Sequence, residues 1–574
     1  MKSKSTNLLR LAAIGAVVTV AGVSGCKKSR RASGDVSRNW TPAQPSAYMG
    51  VPAAEVQGAI LKRLAGQPPV PVNGDEWKHV KKLYATFNQG LLWVDAKGMH
   101  QPRVNAMLTA LAGADSDGLK LDVYPLSDLA RTLGAIDAQH PTADELAAAD
   151  VLLSSAFAAY GETMLTGQVR PASLGQAWHI NPLEERIDSA LTLTLREDDF
   201  GAGLVRMRPQ DPKYDSLRTK FAAFREFASR SGWDTVPSGK QLKPGEPDSP
   251  ARLAALRARL HAEGYLGDSS AASGSVPARP GHAIYDRTLA GAVAQFQARH
   301  SIGVDSMLGK ETVDAMNVPA GYRLAQIAAN LERYRWMPRS LGTRYIIVNV
   351  PEFRLVAFDS GETSLEMKVI VGQEYENKAT PVFSDSMEFV IFRPFWNVTP
   401  DIAAKEIFPK EASTPGYIAS QDMEIYNDHG RKAVRQRPGP KNALGFVKFM
   451  FPNDYNIYLH DTPNHELFKK DVRAFSHGCI RVEKPAELAQ WVLGWAPERV
   501  QEQMQGADNH QVNLPAKLPV YIVYFTTFVT NNQLNFGNDL YDRDSKMVLE
   551  LESVAISSPE TLRLQAALRA LAAK

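Results

Sequence analysis

The sequence has few cysteines and no long run of basic residues. Its 574 residues include two cysteines, Cys26 and Cys479, so Cys479 has no partner for an intrachain disulfide if Cys26 is modified. Basic and acidic residues nearly balance, at 65 and 62 for a net charge of +3, which argues against a nucleic-acid partner. No internal repeat is evident. The length exceeds what one hydrophobic core usually holds, so we expect three or four domains.

The amino terminus has the organisation of a secretory signal. Three basic residues precede an apolar run at residues 11–20, and small residues lead to Cys26. The apolar run is too short to span a bilayer comfortably. Residues 23–26, Val-Ser-Gly-Cys, resemble the lipobox of bacterial lipoproteins, which implies removal of residues 1–25 and a lipid on Cys26. The alternatives are an ordinary signal peptide and an uncleaved anchor.

The resemblance to lipoproteins also implies a location. A lipid on Cys26 would attach the protein to a membrane facing the periplasm. Lys27 follows, rather than aspartate, which by resemblance indicates the outer membrane over the inner membrane.

Composition and periodicity divide the chain that follows. Residues 26–73 are rich in Ser, Ala, Pro and Gly, which is typical of a flexible tether. Apolar residues at helical spacing predict a helical scaffold domain over residues 74–235. A Gly- and Pro-rich linker then leads to a compact helical unit at residues 251–318.

From residue 343 the apolar spacing changes from helical to alternating. This pattern predicts a mostly β domain over residues 343–530. Pro- and Gly-rich residues 394–445 interrupt the alternation and predict an inserted capping subdomain. Residues 531–574 end in a predicted helix. The predicted fold class is therefore multidomain α+β.

The compact unit resembles the small three-helix peptidoglycan-binding domain. The resemblance rests on residues 292–297, Ala-Val-Ala-Gln-Phe-Gln, and 308–312, Leu-Gly-Lys-Glu-Thr. It implies that the unit binds glycan. The family usually has Asp-Gly where this chain has Asp305 and Ser306, so we expect the turn there to differ. The alternative is a helical spacer that binds nothing.

The candidate catalytic pair is Cys479 and His460. Residues 455–460 alternate as a strand, which predicts that Tyr458 and His460 share one face. Fifteen residues separate His460 from Ser-His-Gly-Cys at 476–479. A thiol is a poor nucleophile until it is ionised, and a nearby histidine can accept its proton. We therefore predict Cys479 as the nucleophile and His460 as the base.

Residues beside this pair have candidate supporting roles. Gly478 allows close approach of the backbone, and its amide and that of Cys479 are candidate oxyanion donors. The carbonyl of Asp461 is a candidate partner for the second imidazole nitrogen. His477 is either a second catalytic group or a structural part of the loop. Ser476 is predicted to hold the loop by hydrogen bonds.

Four residues are candidates for substrate binding. Arg481 could hold a carboxylate through paired hydrogen bonds, and the alternative is a surface ion pair. Tyr458, Trp396 and Asn397 are candidates for lining the substrate groove. The alternatives for these three are packed aromatic rings and a capping residue.

His460 and the sequence at 476–481, Ser-His-Gly-Cys-Ile-Arg, are separated by fifteen residues. This pattern resembles the signature of L,D-transpeptidases with a YkuD-type catalytic domain. Other segments resemble the large, multidomain YcbB-like branch of that family. These segments are residues 330–336, 380–383, 438–445 and 448–453. The lipobox departs from the usual description of that branch, which has a cleavable signal or a membrane-anchoring segment.

This resemblance implies an acyl transfer. Cys479 would attack the L,D amide between residues three and four of a donor tetrapeptide stem and release the terminal D-alanine. The side-chain amine of a third-position diamino acid on a neighbouring stem would then attack the thioester, which makes a 3→3 cross-link. The implied partners are peptidoglycan stem peptides and glycan, with carbapenems as inhibitors. Neither a cofactor nor a metal is implied.

Three rival interpretations follow from the residues alone. One is zinc binding by His460, His465, His477 and Cys479, although no recognised spacing of zinc ligands occurs. A second is a Cys–His peptidase that hydrolyses the wall, although in papain-like proteases the cysteine precedes its histidine. The third is a non-catalytic lipoprotein that binds peptidoglycan through residues 251–318.

Overall fold

A computed structural model describes most of the chain after its first 39 residues. The predicted signal peptide and Cys26 therefore lie outside the described residues. None of the described helices combines the length and apolar character needed to cross a membrane. The described ranges are 40–136, 140–174, 178–180, 186–230, 232–267, 277–279, 282–373, 378–555 and 558–573.

The amino-terminal half is a helical domain built around the helix Ala143–Thr166. Nearly all 24 of its residues are buried. Thr142 and Glu145 begin this helix with a capping box, in which each side chain binds the backbone amide of the other residue. The helices packed against it are Ala53–Ala65, Gly74–Thr86, Gln101–Ala112, Leu126–Ile136, Ile187–Leu195 and Phe200–Met207.

Two segments that the sequence assigns elsewhere join this domain. The prediction of a flexible tether over residues 26–73 is wrong for its second half, because Ala53–Ala65 is a helix whose Val56 and Ile60 lie in the core. The helix Pro559–Ala572 also returns from the carboxyl terminus and packs against Gln101–Ala112. The apolar residues that each segment contributes to this core are few, so composition alone does not reveal them.

The unit at residues 251–318 has its own core and a three-stranded sheet of Pro247–Asp248, Pro277–Arg279 and His282–Ile284. Its helices are Pro250–Ala262, Arg287–Arg299 and Lys310–Met316. Ser306 adopts a positive φ of 60°, a conformation that favours glycine. The amide of Ser306 donates to Gln297 Oε1 at 3.0 Å, which holds the turn without glycine.

The helix Ala320–Arg335 joins the helical domain to the mostly β domain. It contains most of the 330–336 segment on which the family resemblance partly rests. Glu332 accepts a hydrogen bond from the Val169 amide at 2.7 Å, and Arg335 donates to the Asp117 carbonyl at 3.0 Å. Because both side chains are fully buried, these contacts fix the two domains against each other. The neighbouring helix Pro212–Arg230 packs against this one.

The mostly β domain is built on a sheet of ten strands among the described residues. The strand Trp178–His179 adds to it from the helical half by pairing with Val382–Phe392. The sheet closes into a ring because Arg354–Asp359 pairs with Glu362–Gly372. The other nine strands follow the order Arg354–Asp359, Arg344–Asn349, His510–Val523, Val382–Phe392, Val447–Met450, Leu459–His460, Ile480–Val482, Glu362–Gly372 and Ala474–Ser476.

The predicted strand at 455–460 is shorter than the alternation indicates, since only Leu459–His460 pairs as a strand. The side chain of Asn453 accepts hydrogen bonds from the amides of Tyr455 and Ile457. Asn456 takes a positive φ of 55°. The asparagines therefore build a turn where the sequence pattern predicts extended chain.

The inserted residues 394–445 form a subdomain with its own small core. Its strands Trp396–Asn397, Arg431–Gln436 and Met423–Asp428 form a three-stranded sheet in that order. Its helical segments are Pro400–Ile402, Ala403–Ile407, Phe408–Ser413 and Tyr417–Ser420. Two helices, Pro485–Leu493 and Pro497–Gln505, lie between the strands Ile480–Val482 and His510–Val523. The hairpin of Thr527–Thr530 with Gln533–Phe536 and the helix Ser545–Ala555 follow His510–Val523.

Candidate active site

Three adjacent strands of the ring carry most of the candidate residues. Register pairs Lys448 with His460 and His460 with Arg481, so these three side chains form a row across the sheet. The alternate residues on the same strands are fully buried in the core. The row therefore lies on the opposite face of the sheet, as alternation requires. The three strands are Val447–Met450, Leu459–His460 and Ile480–Val482.

His460 is held as a neutral base. Its Nδ1 lies 2.5 Å from the carbonyl oxygen of Asp461, which can only accept, so Nδ1 carries the proton and Nε2 is left unprotonated. The predicted role of the Asp461 carbonyl is confirmed. Burial, followed by the charge of Arg481, lowers the pKa of His460 to about 3.

Cys479 is partly exposed and protonated. Its thiol donates to the carbonyl oxygen of Asn456 at 3.5 Å. Burial raises the pKa of the thiol, against the opposing effects of hydrogen bonding from Tyr458 and the charges of Lys448 and Arg481. The structure therefore presents a neutral thiol beside a neutral imidazole rather than an ion pair.

The described contacts include no direct hydrogen bond between the thiol of Cys479 and the imidazole of His460. Register pairs His460 with Arg481, which lies two residues after Cys479 in the chain. The thiol must therefore rotate away from Asn456 to reach Nε2. Cys479 precedes a strand that pairs in parallel with that of His460, so both side chains face the same side.

The loop before Cys479 is held by its own hydrogen bonds. The Ser476 hydroxyl donates to the Cys479 carbonyl at 2.5 Å and accepts from the Gly478 amide at 3.1 Å. The predicted hydrogen-bonding role of Ser476 is thus observed. However, the expectation that the Gly478 amide is an oxyanion donor is wrong for this conformation, because that amide is already bound.

Thr380 also holds this loop, although sequence reasoning did not select it as a site residue. Its hydroxyl donates to the Gly478 carbonyl at 2.8 Å and accepts from the Gly372 amide at 2.9 Å. It lies 98 residues from Gly478 in sequence, so no local pattern relates the two.

His477 points toward the inserted subdomain. Its Nε2 lies 2.5 Å from Glu406 Oε1, and Lys378 Nζ lies 3.8 Å from the same oxygen. Burial acts to raise the pKa of Glu406, but the hydrogen bond and charge of His477 lower it overall. These contacts favour the structural role for His477. The described residues contain no group of three or more His, Cys, Asp or Glu side chains that could hold a metal ion.

The structure does not bring every candidate to the thiol. Trp396 packs against the core of the inserted subdomain, and Asn397 is exposed on the same strand. Within the described part of the chain, neither contacts Cys479 through a hydrogen bond or ring. The Tyr458 hydroxyl does lie within hydrogen-bonding reach of the Cys479 thiol, and its ring centroid is 5.6 Å from that of His460. A cavity of about 550 Å³ between the helical and catalytic domains is not lined by Cys479 or His460.

Comparison with known families identifies the domains. Residues 343–522 match the YkuD family, described as the L,D-transpeptidase catalytic domain. The chain carries an L,D-transpeptidase catalytic domain. Residues 78–221 match the family described as "Scaffold domain", and residues 249–316 match "Putative peptidoglycan binding domain". The L,D-transpeptidase and peptidoglycan-binding domains imply a location outside the cytoplasm, at the cell wall.

A curated relative resembles part of this chain. A Haemophilus influenzae protein named "Putative L,D-transpeptidase" is 31% identical over 244 residues, which cover 39% of this chain and 49% of that protein. The chain thus spans about half the length of the relative.

Two solved structures also align with half of this chain. One is an L,D-transpeptidase from Xylanimonas cellulosilytica, 15% identical with 99% of that chain covered and a TM-score of 0.18. The other, from Clostridium acetobutylicum, is titled "Fused Zn-dependent amidase/peptidase/peptodoglycan-binding domain-containing protein" (14% identical, 100% covered, TM-score 0.15). TM-scores this low do not establish a shared overall fold with either structure.

The neutral imidazole predicts the pH dependence of the L,D-transpeptidase domain. The lowered pKa of His460 means that the ring stays unprotonated, and able to accept a proton, down to about pH 3. We expect kcat/KM to show no acid limb near pH 6.5, where an ordinary imidazole titrates. Because the pKa of Cys479 is raised, iodoacetamide should alkylate the thiol slowly at pH 7 and faster as pH rises. A limb near pH 6.5 in the free enzyme would contradict this assignment.

Replacing Thr380 with valine tests whether the Thr380 hydroxyl stabilises the loop before Cys479. Thr380→Val removes the hydroxyl that serves a buried amide and a buried carbonyl, so we expect a loss of about 1–3 kcal/mol in the free energy of unfolding. The measurement is chemical denaturation. Thr380→Ser keeps the hydroxyl and should retain most of the stability. Equal losses in the two variants would assign the effect to the methyl group instead.

Proposed function

We propose that this protein is an acyltransferase that forms 3→3 cross-links between peptidoglycan stems. The proposal rests on one observation: Cys479 directly precedes a strand that pairs with that of His460, and His460 Nδ1 is bound to a carbonyl, which leaves Nε2 to accept a proton. The partial exposure of the thiol leaves it open to a substrate.

In the first half-reaction, the thiol rotates from Asn456 and transfers its proton to His460 Nε2. The sulfur then attacks the carbonyl of the L,D amide between residues three and four of the donor. The oxyanion requires hydrogen-bond donors. With the Gly478 amide bound to Ser476, the remaining candidates are the Cys479 amide and the Tyr458 hydroxyl, which lies beside the thiol.

Collapse of this intermediate breaks the C–N bond, and His460 returns its proton to the departing D-alanine amine. In the second half-reaction, the acceptor amine loses a proton to Nε2 and attacks the thioester. The thiolate leaves and recovers that proton. ATP is not needed because the thioester retains the bond energy of the amide. If water replaces the amine, the same steps hydrolyse the donor, which is the wall-peptidase alternative.

Product analysis distinguishes these outcomes. Purified protein is incubated with disaccharide-tetrapeptides, and the products are identified by mass spectrometry. We expect dimers with the mass of two monomers less one D-alanine. Activity should survive EDTA, which a catalytic zinc would not. Tripeptide monomers alone would favour the peptidase, and no change in the tetrapeptides would favour the non-catalytic, wall-binding lipoprotein.

The remaining interactions belong to the same proposal. Residues 251–318 bind glycan, a lipid on Cys26 attaches the chain to the outer membrane from the periplasmic side, and carbapenems acylate Cys479. Incorporation of labelled palmitate in cells, and its loss in Cys26→Ser, tests the anchor. A mass increase of one carbapenem per protein, absent in Cys479→Ala, tests the inhibitor.

A further inference from the structure

We propose that Lys448 and Arg481 together bind the free carboxylate of the donor's terminal residue. They thereby select stems in which the scissile amide belongs to the last residue. This inference rests on the proposed function and assigns its donor specificity to two side chains.

The first argument is position. His460 has Lys448 opposite it on one neighbouring strand and Arg481 opposite it on the other. All three side chains lie on the face that carries Cys479. Two positive charges therefore flank the base that must approach the scissile amide. Lys448 Nζ also lies 3.7 Å from the ring centroid of Tyr458, whose hydroxyl is beside the thiol.

The second argument is the absence of an anionic partner. Among the residues that the structure describes, no carboxylate forms an ion pair with Lys448 or Arg481, and neither donates a hydrogen bond. Both side chains are half-buried. Burial lowers the pKa of each, with the thiol of Cys479 acting in the opposite direction. Uncompensated cations in a partly desolvated site are unfavourable alone and are stabilised by a bound anion.

The third argument is the chemistry of the donor. In a tetrapeptide stem, one carbon atom separates the nitrogen of the scissile amide from the terminal carboxylate. When that amide meets Cys479 and His460, the carboxylate must lie near the row of Lys448 and Arg481. In a longer stem, the same carboxyl group is a neutral amide. Such a donor would leave both cations unpaired, so we expect the site to disfavour it.

Binding of the carboxylate also affects the base. Arg481 and Lys448 both contribute to the low pKa of His460. A carboxylate between them offsets these charges, so the imidazole becomes a stronger base when the correct donor is present. The same contact therefore contributes to donor selection and to the readiness of the catalytic base.

A matched pair of donors tests the inference. Release of the terminal residue is measured for a disaccharide-tetrapeptide with a free carboxyl terminus and for the same compound with a carboxamide terminus. We expect the wild-type protein to prefer the free acid by about 10²-fold in kcat/KM, as two charge-assisted contacts would produce. Lys448→Met and Arg481→Met should each reduce this ratio by about 10-fold or more, and Lys448→Arg should retain most of it.

The controls separate selection from structure. Lys517→Met removes an exposed lysine from another strand of the sheet and should keep the wild-type ratio. Equal rates for the acid and the amide in the wild-type protein would overturn the inference while leaving the transpeptidase proposal intact. Turnover of neither donor would instead count against the proposed function. A methionine variant that slows both donors equally assigns that side chain a structural role and also overturns the inference.

Discussion

Replacing Cys479 with alanine is expected to abolish cross-link formation, with a loss of about 10³-fold or more in the rate of D-alanine release. Cys479 is the predicted nucleophile of this site, and an alanine side chain has no group that could form the acyl-enzyme. Ser476 is the nearest hydroxyl in sequence, but it is buried and its hydrogen bonds are occupied. The measurement is product analysis with disaccharide-tetrapeptides.

This substitution should leave the fold intact. The side chain is partly exposed, and the bond from Ser476 is to the backbone carbonyl of Cys479, which alanine retains. The unfolding transition of Cys479→Ala should therefore match that of the wild-type protein. Cys479→Ser should be similarly inactive, because a hydroxyl is far harder to ionise than a thiol. Dimer formation by the alanine variant would rule out the thioester route.

Replacing His460 with glutamine is expected to lower kcat by about 10²–10⁴-fold, the usual contribution of a general base. Glutamine is similar in size and polar, so it limits the disruption of a buried site while removing proton acceptance near neutral pH. The rate of D-alanine release is measured from pH 4 to pH 9. A loss smaller than about 10-fold would exclude His460 as the base.

The same variant distinguishes two mechanisms of thiol activation. A neutral imidazole adds no charge to the surroundings of the thiol, and the effects that perturb the pKa of Cys479 come from burial, Tyr458, Lys448 and Arg481. We therefore expect iodoacetamide to alkylate Cys479 at similar rates in His460→Gln and in the wild-type protein. An imidazolium–thiolate pair would instead make alkylation of the variant much slower at pH 7. Cys479→Ala provides the background rate.

Several features of the fold follow from local sequence. Alternation over residues 345–350, 353–358 and 366–371 predicts strands that the structure confirms as Arg344–Asn349, Arg354–Asp359 and Glu362–Gly372. Strand and helix periods are properties of neighbouring residues, so they can be read without knowing the fold. Tyr458 and His460 also lie side by side as predicted, with their ring centroids 5.6 Å apart.

Other features depend on contacts between residues that are far apart in the sequence. Neither Lys448 nor Thr380 is a predicted site residue. Strand pairing places Lys448 opposite His460, and a hydrogen bond links Thr380 to the Gly478 carbonyl. Glu406, in the inserted subdomain, contacts His477, although the two residues are 71 positions apart in the sequence. The Gly478 amide, a predicted oxyanion donor, instead donates its hydrogen bond to the Ser476 hydroxyl.

The sequence by itself determined the candidate catalytic pair, the spacing between its two residues and the families of the surrounding domains, because a strand's period and a family motif are both read from neighbouring positions in the chain. Tertiary structure alone decided which groups surround the thiol and the imidazole. It also decided which imidazole nitrogen can accept a proton and that the Gly478 amide is already hydrogen-bonded. Those properties depend on register between strands and on burial, and both arise from contacts between residues far apart in the chain.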